Sequence, residues 1–330
     1  MEYDELFTPK LRIKDSVDRE FDPRKYALII DSFHEGVPNN EPFEQAIKEL
    51  EELMNDGFTL ARTVYACLLD SGIYVDMDAE RALRLYKQSA EEDCDLAQLA
   101  LGCKYLTGKN VPQSYEEARM WLDKAYMNGN DDAARLLGRM YYEGSGVEKD
   151  LDKAMSYMRM AAENGNAVAQ FHLAIMMVSE TPPRFSYEEY FSWMSKSAEQ
   201  GYCPAFHGMW GAYHFGLGVE KSVEEERKWI IRYAEKGNAE AKCVGFLHIY
   251  RIHPEMAVGW IKSAAEEGYP KAQYLLGALH MEGKHVEFSA AEAERWLTLA
   301  AENGYEDARK VLEECFPSYP ENDFENYFDL

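Results

Sequence analysis

Two histidines seven positions apart, His207 and His214, carry the most suggestive chemical spacing in this sequence. Two helical turns return a side chain to the same face, so the pair could hold a metal or sense pH. Zinc sites draw three or four ligands in fixed geometry, and no cysteine or third histidine joins the pair at a standard spacing. No metal and no other cofactor is therefore expected. Titration near neutral pH is the other chemistry open to histidine, set against ordinary packing or surface roles for the seven of eight histidines that crowd between His172 and His285. Gly144-Ser145-Gly146 could cradle a phosphate, but no P-loop Lys-Ser/Thr follows it. Glu163 and Glu302 sit in recurring Ala-Ala-Glu runs and are structural before they are catalytic. No nucleophile stands at a catalytic spacing from a base, so the chain is read as not an enzyme.

The elements that would position these side chains follow from an internal period. A closing residue recurs at Gly57, Asp93, Gly129, Gly165, Gly201, Gly237, Gly268 and Gly304, with steps of 36 residues except one of 31 into Gly268. Alanine stands four residues beyond every closer, at Ala61, Ala97, Ala133, Ala169, Ala205, Ala241, Ala272 and Ala308. Twenty-one residues beyond a closer come Asp78, Ser114, Asp150, Ser186, Ser222 and Ser289, types whose side-chain oxygens cap a helix N-terminus. Glu117, Glu189, Glu225 and Glu292 follow four of them at capping-box spacing. Trp121, Tyr157, Trp193, Trp229, Trp260 and Trp296 stand eight residues before a closer. Each repeat reads as two helices joined by a glycine-led turn, such as Gly108-Lys109-Asn110-Val111 or Gly216-Leu217-Gly218-Val219. A left-handed residue is expected at each closer, and Asp93 tolerates that conformation better than most residue types. A period of this length marks a solenoid, in which each repeat buries its apolar face against its neighbours.

Tyr141-Tyr142-Glu143-Gly144-Ser145-Gly146-Val147, then Lys153-Ala154, then Ala161-Ala162-Glu163-Asn164-Gly165 resembles the Sel-one-like repeat, a relative of the tetratricopeptide repeat. The resemblance covers residues 22–316. It implies an all-α, right-handed α/α superhelical solenoid of about eight repeats. It also implies a protein–protein interaction scaffold, often in signalling or complex assembly, with no conserved chemistry. The expected organisation is an N-terminal arm over 1–21, a degenerate first repeat over 22–57, seven repeats over 58–304, a capping helix over 305–316 and an acidic, aromatic tail over 317–330. The first repeat opens its helices at Asp22-Pro23 and Glu41-Pro42. Two turns break the pattern, at Ser179 to Phe185 and at Tyr250 to Glu255, and are expected to change the local curvature.

Charge narrows the partner. The formal net charge is −24, whereas binding to a phosphate backbone needs a basic face. Nucleic acid and anionic membrane are disfavoured, and a basic surface on the partner is favoured if that partner is charged at all. The start, Met1-Glu2-Tyr3-Asp4-Glu5, is acidic and unlike a secretory signal, and no run of about 18 apolar residues exists to span a membrane. Of Cys67, Cys94, Cys103, Cys203, Cys243 and Cys315, only Cys67 and Cys103 share a repeat position, so no disulfide staple recurs. Free thiols in a reducing cytosol, and hence a cytoplasmic protein, are expected.

On a first helix, positions 4, 8 and 12 beyond the closer share a face, so Ala133, Leu137 and Tyr141 are expected in the core. The opposite face carries positions 6, 10, 13 and 14. With the helix order of tetratricopeptide repeats this face lines a concave groove. It presents Arg135, Arg139 and Tyr142, then Phe171, then His207, His214 and Phe215, then Tyr250 and Arg251, then Tyr274. Arginine and aromatic residues are the types enriched at interface hot spots. Packing against the neighbouring repeat is the alternative, weightier for Phe171, Leu247 and Tyr274 than for the arginines, because an unpaired buried arginine is costly. The expected function is an adaptor holding a protein or peptide along that face. The alternatives are a self-associating structural module and a small-molecule or metal sensor in the histidine-rich repeats.

Overall fold

A computed structural model of the chain describes residues 41–72, 74–179 and 185–316. The arm over 1–21, the helix opening at Asp22-Pro23, turn residues 180–184 and the tail over 317–330 lie outside the described residues. Among the described residues there are sixteen helices and no strand. They are α1 (Glu41–Asn55), α2 (Thr59–Ser71), α3 (Ala79–Glu91), α4 (Asp95–Thr107), α5 (Tyr115–Met127), α6 (Asp131–Glu143), α7 (Leu151–Glu163) and α8 (Ala167–Val178). After them come α9 (Tyr187–Glu199), α10 (Cys203–Phe215), α11 (Val223–Lys236), α12 (Ala239–Ile249), α13 (Pro254–Glu266), α14 (Pro270–Glu282), α15 (Ala290–Glu302) and α16 (Glu306–Cys315). Even-numbered helices are the first of a repeat and odd-numbered ones the second. None of the described helices is long and apolar enough to cross a membrane.

The chain forms two units, Met1–Ala169 and Gln170–Leu330. In the first, each helix from α1 to α7 packs on the next in sequence, and α4 also packs on α6. In the second, α9 to α16 do the same, and α12 also packs on α14. Both are therefore paired-helix arrays. The conformational reason is local. The side chains of Asp78, Ser114, Asp150, Ser186, Ser222 and Ser289 each accept from the backbone N–H three residues on. The other half of the capping box differs from expectation. The N–H of Ser114, Ser222 and Ser289 donates to the carbonyl of Tyr105, Tyr213 and His280 on the preceding first helix. The following glutamates are left near the helix N-terminus, where the helix dipole favours negative charge.

The recurring alanines are core residues: all eight, from Ala61 to Ala308, are at most 1% exposed. A methyl-sized side chain there lets two helices approach closely. Ala133 and Leu137 are buried as expected, and Tyr141, half-buried, stacks on Tyr157 at 5.8 Å. Seven of the eight closers have positive φ, including Asp93 at 62°. Gly237 is the exception, with φ −89° and ψ −178°. Glycine is needed there for space, because a Cβ would meet the Ala241 side chain at 2.3 Å and the Tyr233 carbonyl oxygen at 2.6 Å.

A polar clasp closes most junctions between repeats. The residue five beyond a closer reaches the residue just before the next one. Arg62 pairs with Glu92 at 2.6 Å, Asn128 donates to Gln98 at 2.9 Å, Gln200 to Gln170 at 2.8 Å and Asn303 to Gln273 at 3.0 Å. Lys242 makes the same pairing with Glu267 in the short repeat. Gln98, Gln170 and Gln273 are buried, so these bonds satisfy polar groups that would be costly to bury alone. Phe206 holds the corresponding place on α10 and packs on Trp229 instead.

The thiols rank by burial. Burial pushes Cys103 up to about 12 and Cys243 up to about 11, whereas Cys315 is exposed on α16. Only the thiolate is nucleophilic. Alkylation of the native protein near pH 8 is expected to label Cys315 first and to spare Cys103 and Cys243 until the protein unfolds. Peptide mapping checks this, and prompt labelling of Cys103 would contradict the packing of α4.

Candidate partner-binding face

In the first unit the face is built on α6. Asp131 and Asp132 open this helix behind the Asn130 cap, and Leu136, Leu137 and Met140 turn inward. That periodicity leaves Arg135, Arg139 and Tyr142 on the other side. Arg135 is nevertheless buried, 6% exposed, with Nε 3.2 Å from Asp132 Oδ1. It lies within electrostatic reach of Cys103 on α4, so it faces the neighbouring first helix. Asn166 Nδ2 also donates to Asp132 Oδ1, at 3.1 Å. Arg139 is half-buried with Nε 3.5 Å from Glu143, and the Tyr142 ring lies 5.3 Å from Lys149 Nζ.

In the second unit two of the candidates are junction packing. Phe171 meets Tyr202 at 5.4 Å and Tyr274 meets Tyr305 at 5.0 Å, each partner being the residue that precedes the next first helix. Tyr250 packs on Phe246 at 4.7 Å and on His285 at 5.5 Å. Arg251 is exposed in the turn after α12.

His207, His214 and Phe215 are brought together, and a residue the sequence reading passed over gathers them. Trp210 stands on the same face of α10, with His207 at 5.0 Å and His214 at 5.3 Å, both inclined 23° to its ring. His248 of α12 approaches the indole to 4.6 Å, and Phe215 meets it edge-on at 6.4 Å. From α11, Glu226 accepts the Trp210 indole N–H at 3.3 Å and lies 3.1 Å from His214 Nδ1. The spacing His207-Trp210-His214, i, i+3, i+7, was the available signal for Trp210. Nothing local points to Glu226 or His248, which arrive from other helices.

Burial of its ring against Trp210 and Tyr233 holds His207 below the usual histidine range, helped by nearby His248, while Glu240 opposes the shift. His248 is lowered too, first by burial and then by His214, with Glu226 opposing. Both imidazoles are thus neutral at pH 7 and behave as flat aromatic surface. Among the described residues no three His, Cys, Asp or Glu side chains are placed to hold a metal ion.

An array of capped helix pairs with a regular period and alanine-lined contacts is an α/α solenoid. This chain belongs to the Sel1 repeat family, whose model matches residues 60–94, 95–130, 131–166, 167–202, 208–238, 254–269 and 270–305. Residues 239–253, where the repeat is five residues short, fall outside the matches. Sel1 repeats are in general protein–protein interaction modules without catalysis of their own. Among solved structures, the chain is similar to a Sel1 repeat protein from Oxalobacter formigenes, with 26% identity, a TM-score of 0.62, and coverage of 86% of this chain and 84% of that one. It is also similar to a protective antigen of uropathogenic Escherichia coli with the same repeat fold, with 27% identity, a TM-score of 0.48, and coverage of 88% and 71%. A Pseudomonas aeruginosa immunity protein shares 21% identity over 66% of this chain and 83% of that one, with a TM-score of 0.46. No curated protein matches the chain.

Proposed function

We propose that this protein is an adaptor that holds a protein or peptide partner along the exposed face of its first helices. One contrast carries the reading. In the first unit α4 seals Leu99 and Cys103 on this face, whereas α10 and α12 leave His207, His214, Phe215, Leu247 and Arg251 exposed. Phe215 and Leu247 are each 59% exposed, and apolar surface kept in water next to an arginine suits recognition. The surface is preformed by helices, so the ordering penalty of binding falls mainly on the partner.

The test is capture from native lysate with cross-linking mass spectrometry. Wild type is compared with two folded variants, Arg139→Ala/Tyr142→Ala in the first unit and Phe215→Ala/Leu247→Ala in the second. One partner is expected to cross-link between residues 207 and 251 and to lose about tenfold in affinity in the second variant. A loss in the first variant as well would extend the contact to α6. Binding that survives both variants unchanged would place recognition on another surface and defeat the proposal.

A further inference from the structure

The face of α10 has an opening at its centre. His207, Trp210, Gly211, His214 and Phe215 stand at i, i+3, i+4, i+7 and i+8, one face of a helix. A Cβ built on Gly211 would meet nothing within 4 Å, so the glycine leaves room in front of it that no neighbouring helix fills. The Trp210 indole with its stacked imidazoles, and the exposed Phe215 ring, share that face. On α12, Leu247 holds the position equivalent to Gly211. Arg251 follows His248 by three residues, and it is exposed like Leu247.

Charge decides what else the ligand carries. The carboxylate facing this cluster from α11, Glu226, is already engaged by the Trp210 indole N–H and His214. Arg251 and three imidazoles are what the surface offers to a ligand. Although the chain carries −24 overall, exposed charges beyond about 8 Å are screened at physiological salt. The local set therefore outweighs the distant acids once a ligand is in contact.

We infer that this face docks an acidic peptide segment bearing one apolar anchor, the anchor entering the space before Gly211 and flanking carboxylates meeting Arg251 and the imidazoles. The inference deepens the adaptor reading and rests on it. It also gives binding a pH dependence of known sign. A carboxylate beside an imidazole favours the protonated ring, so binding takes up protons and tightens as pH falls. The charged and titratable groups already facing these rings are Glu240 and Tyr233 toward His207, Glu226 toward His214, and Glu226 and His214 toward His248.

Fluorescence anisotropy on the full chain tests it with three labelled octapeptides. One has a central Phe flanked by Glu, one replaces every Glu with Gln, and one replaces every Glu with Lys. The acidic probe is expected to bind wild type most tightly and to gain several-fold between pH 7.5 and 5.5. Gly211→Gln fills the open space on a helix that tolerates glutamine better than glycine. It is expected to weaken binding at least tenfold with no fall in Tm. Arg251→Gln is expected to weaken it several-fold, and His207→Gln/His248→Gln to remove the pH dependence. Equal or tighter binding of the Lys probe, or wild-type affinity in Gly211→Gln, overturns the inference. Acidic-probe binding that emerges only in Phe324→Ala/Tyr327→Ala/Phe328→Ala also overturns it, because the occupant would then be the chain's own acidic segment. If the probes fail while the lysate partner still cross-links between residues 207 and 251, the peptide chemistry is wrong and the adaptor reading stands. If that cross-link is absent too, both fall.

Discussion

Asp70→Leu will destabilise the first unit by about 3–5 kcal/mol, the range seen when one partner of a buried ion pair is removed. Lys104, on α4, is fully buried at 0% side-chain exposure, and its ammonium donates to Asp70 Oδ1 at the end of α2. Asn110 Nδ2 donates to the same oxygen at 3.3 Å, and Lys104 Nζ lies 5.7 Å from the Tyr86 ring centroid. Burial pulls Lys104 below the ordinary lysine range, and the hydrogen bond and charge of Asp70 push it back. Removing the carboxylate leaves the desolvation uncompensated. Asp70→Leu/Lys104→Met replaces the whole pair with apolar side chains and is expected to come within about 1 kcal/mol of wild type, because such swaps are often neutral. Urea denaturation of the four proteins closes the double-mutant cycle, with hydrogen exchange in α2–α4 locating the loss. The single variant also has a pH signature. Without Asp70, Lys104 loses its proton in the native state well below the free-chain value of about 10.4. Between those two values the unfolded chain binds more protons, so stability rises with pH, and the deficit of Asp70→Leu narrows on going from pH 7 to pH 10. A single-variant loss under about 1 kcal/mol would mean that Lys104 reaches water, and the buried-pair account would fail.

This pair shows where sequence reading stops. Signals that act within one helix or turn were legible, including the closers, the alanines and the six N-caps, because each is fixed by backbone chemistry over a few residues. Interactions between repeats were not. Their partners lie about one period apart and change identity from junction to junction, as Arg62–Glu92, Gln98–Asn128 and Lys242–Glu267 do. A periodic residue type is visible in a sequence, whereas a periodic pair of varying types is not. The same limit governs the candidate face. Helical phase placed Arg135, Phe171 and His207 on one side of their helices, and that much is geometry. Whether each side chain meets solvent depends on the next repeat. Tyr202 covers Phe171, Tyr305 covers Tyr274, and α4 approaches Arg135. At α10 the face stays open. Its centre, Trp210, escaped notice because the repeat-wide register of tryptophans lies on second helices, and a single tryptophan on a first helix belongs to no series.

Gly218→Ala is expected to lower the stability of the second unit by about 3 kcal/mol, far more than Gly268→Ala. Both glycines have positive φ, 72° and 86°, so alanine pays the left-handed penalty of about 1–2 kcal/mol at either site. The surroundings differ. Nothing lies within 4 Å of a Cβ at Gly268, whereas a Cβ at Gly218 would stand 1.9 Å from the Tyr187 carbonyl oxygen and 2.7 Å from the Glu188 backbone nitrogen. Those atoms belong to the first turn of α9, held by the Ser186 cap on the Glu189 N–H, and backbone cannot swing aside as a flexible side chain can. Forcing it adds about 1–3 kcal/mol. Positive φ alone does not demand glycine here, since Asn110 and His285 hold the equivalent turn position at 59° and 57°. The second glycine of this turn is therefore a spacing device that lets the turn after α10 rest on the start of α9. The same turn follows directly on Phe215, so Gly218→Ala should weaken acidic-probe binding as well as stability, while Gly268→Ala leaves binding intact. Thermal melts and anisotropy on the two variants check both outcomes. Equal losses, within about 0.5 kcal/mol, would show that conformation rather than contact selects the glycine.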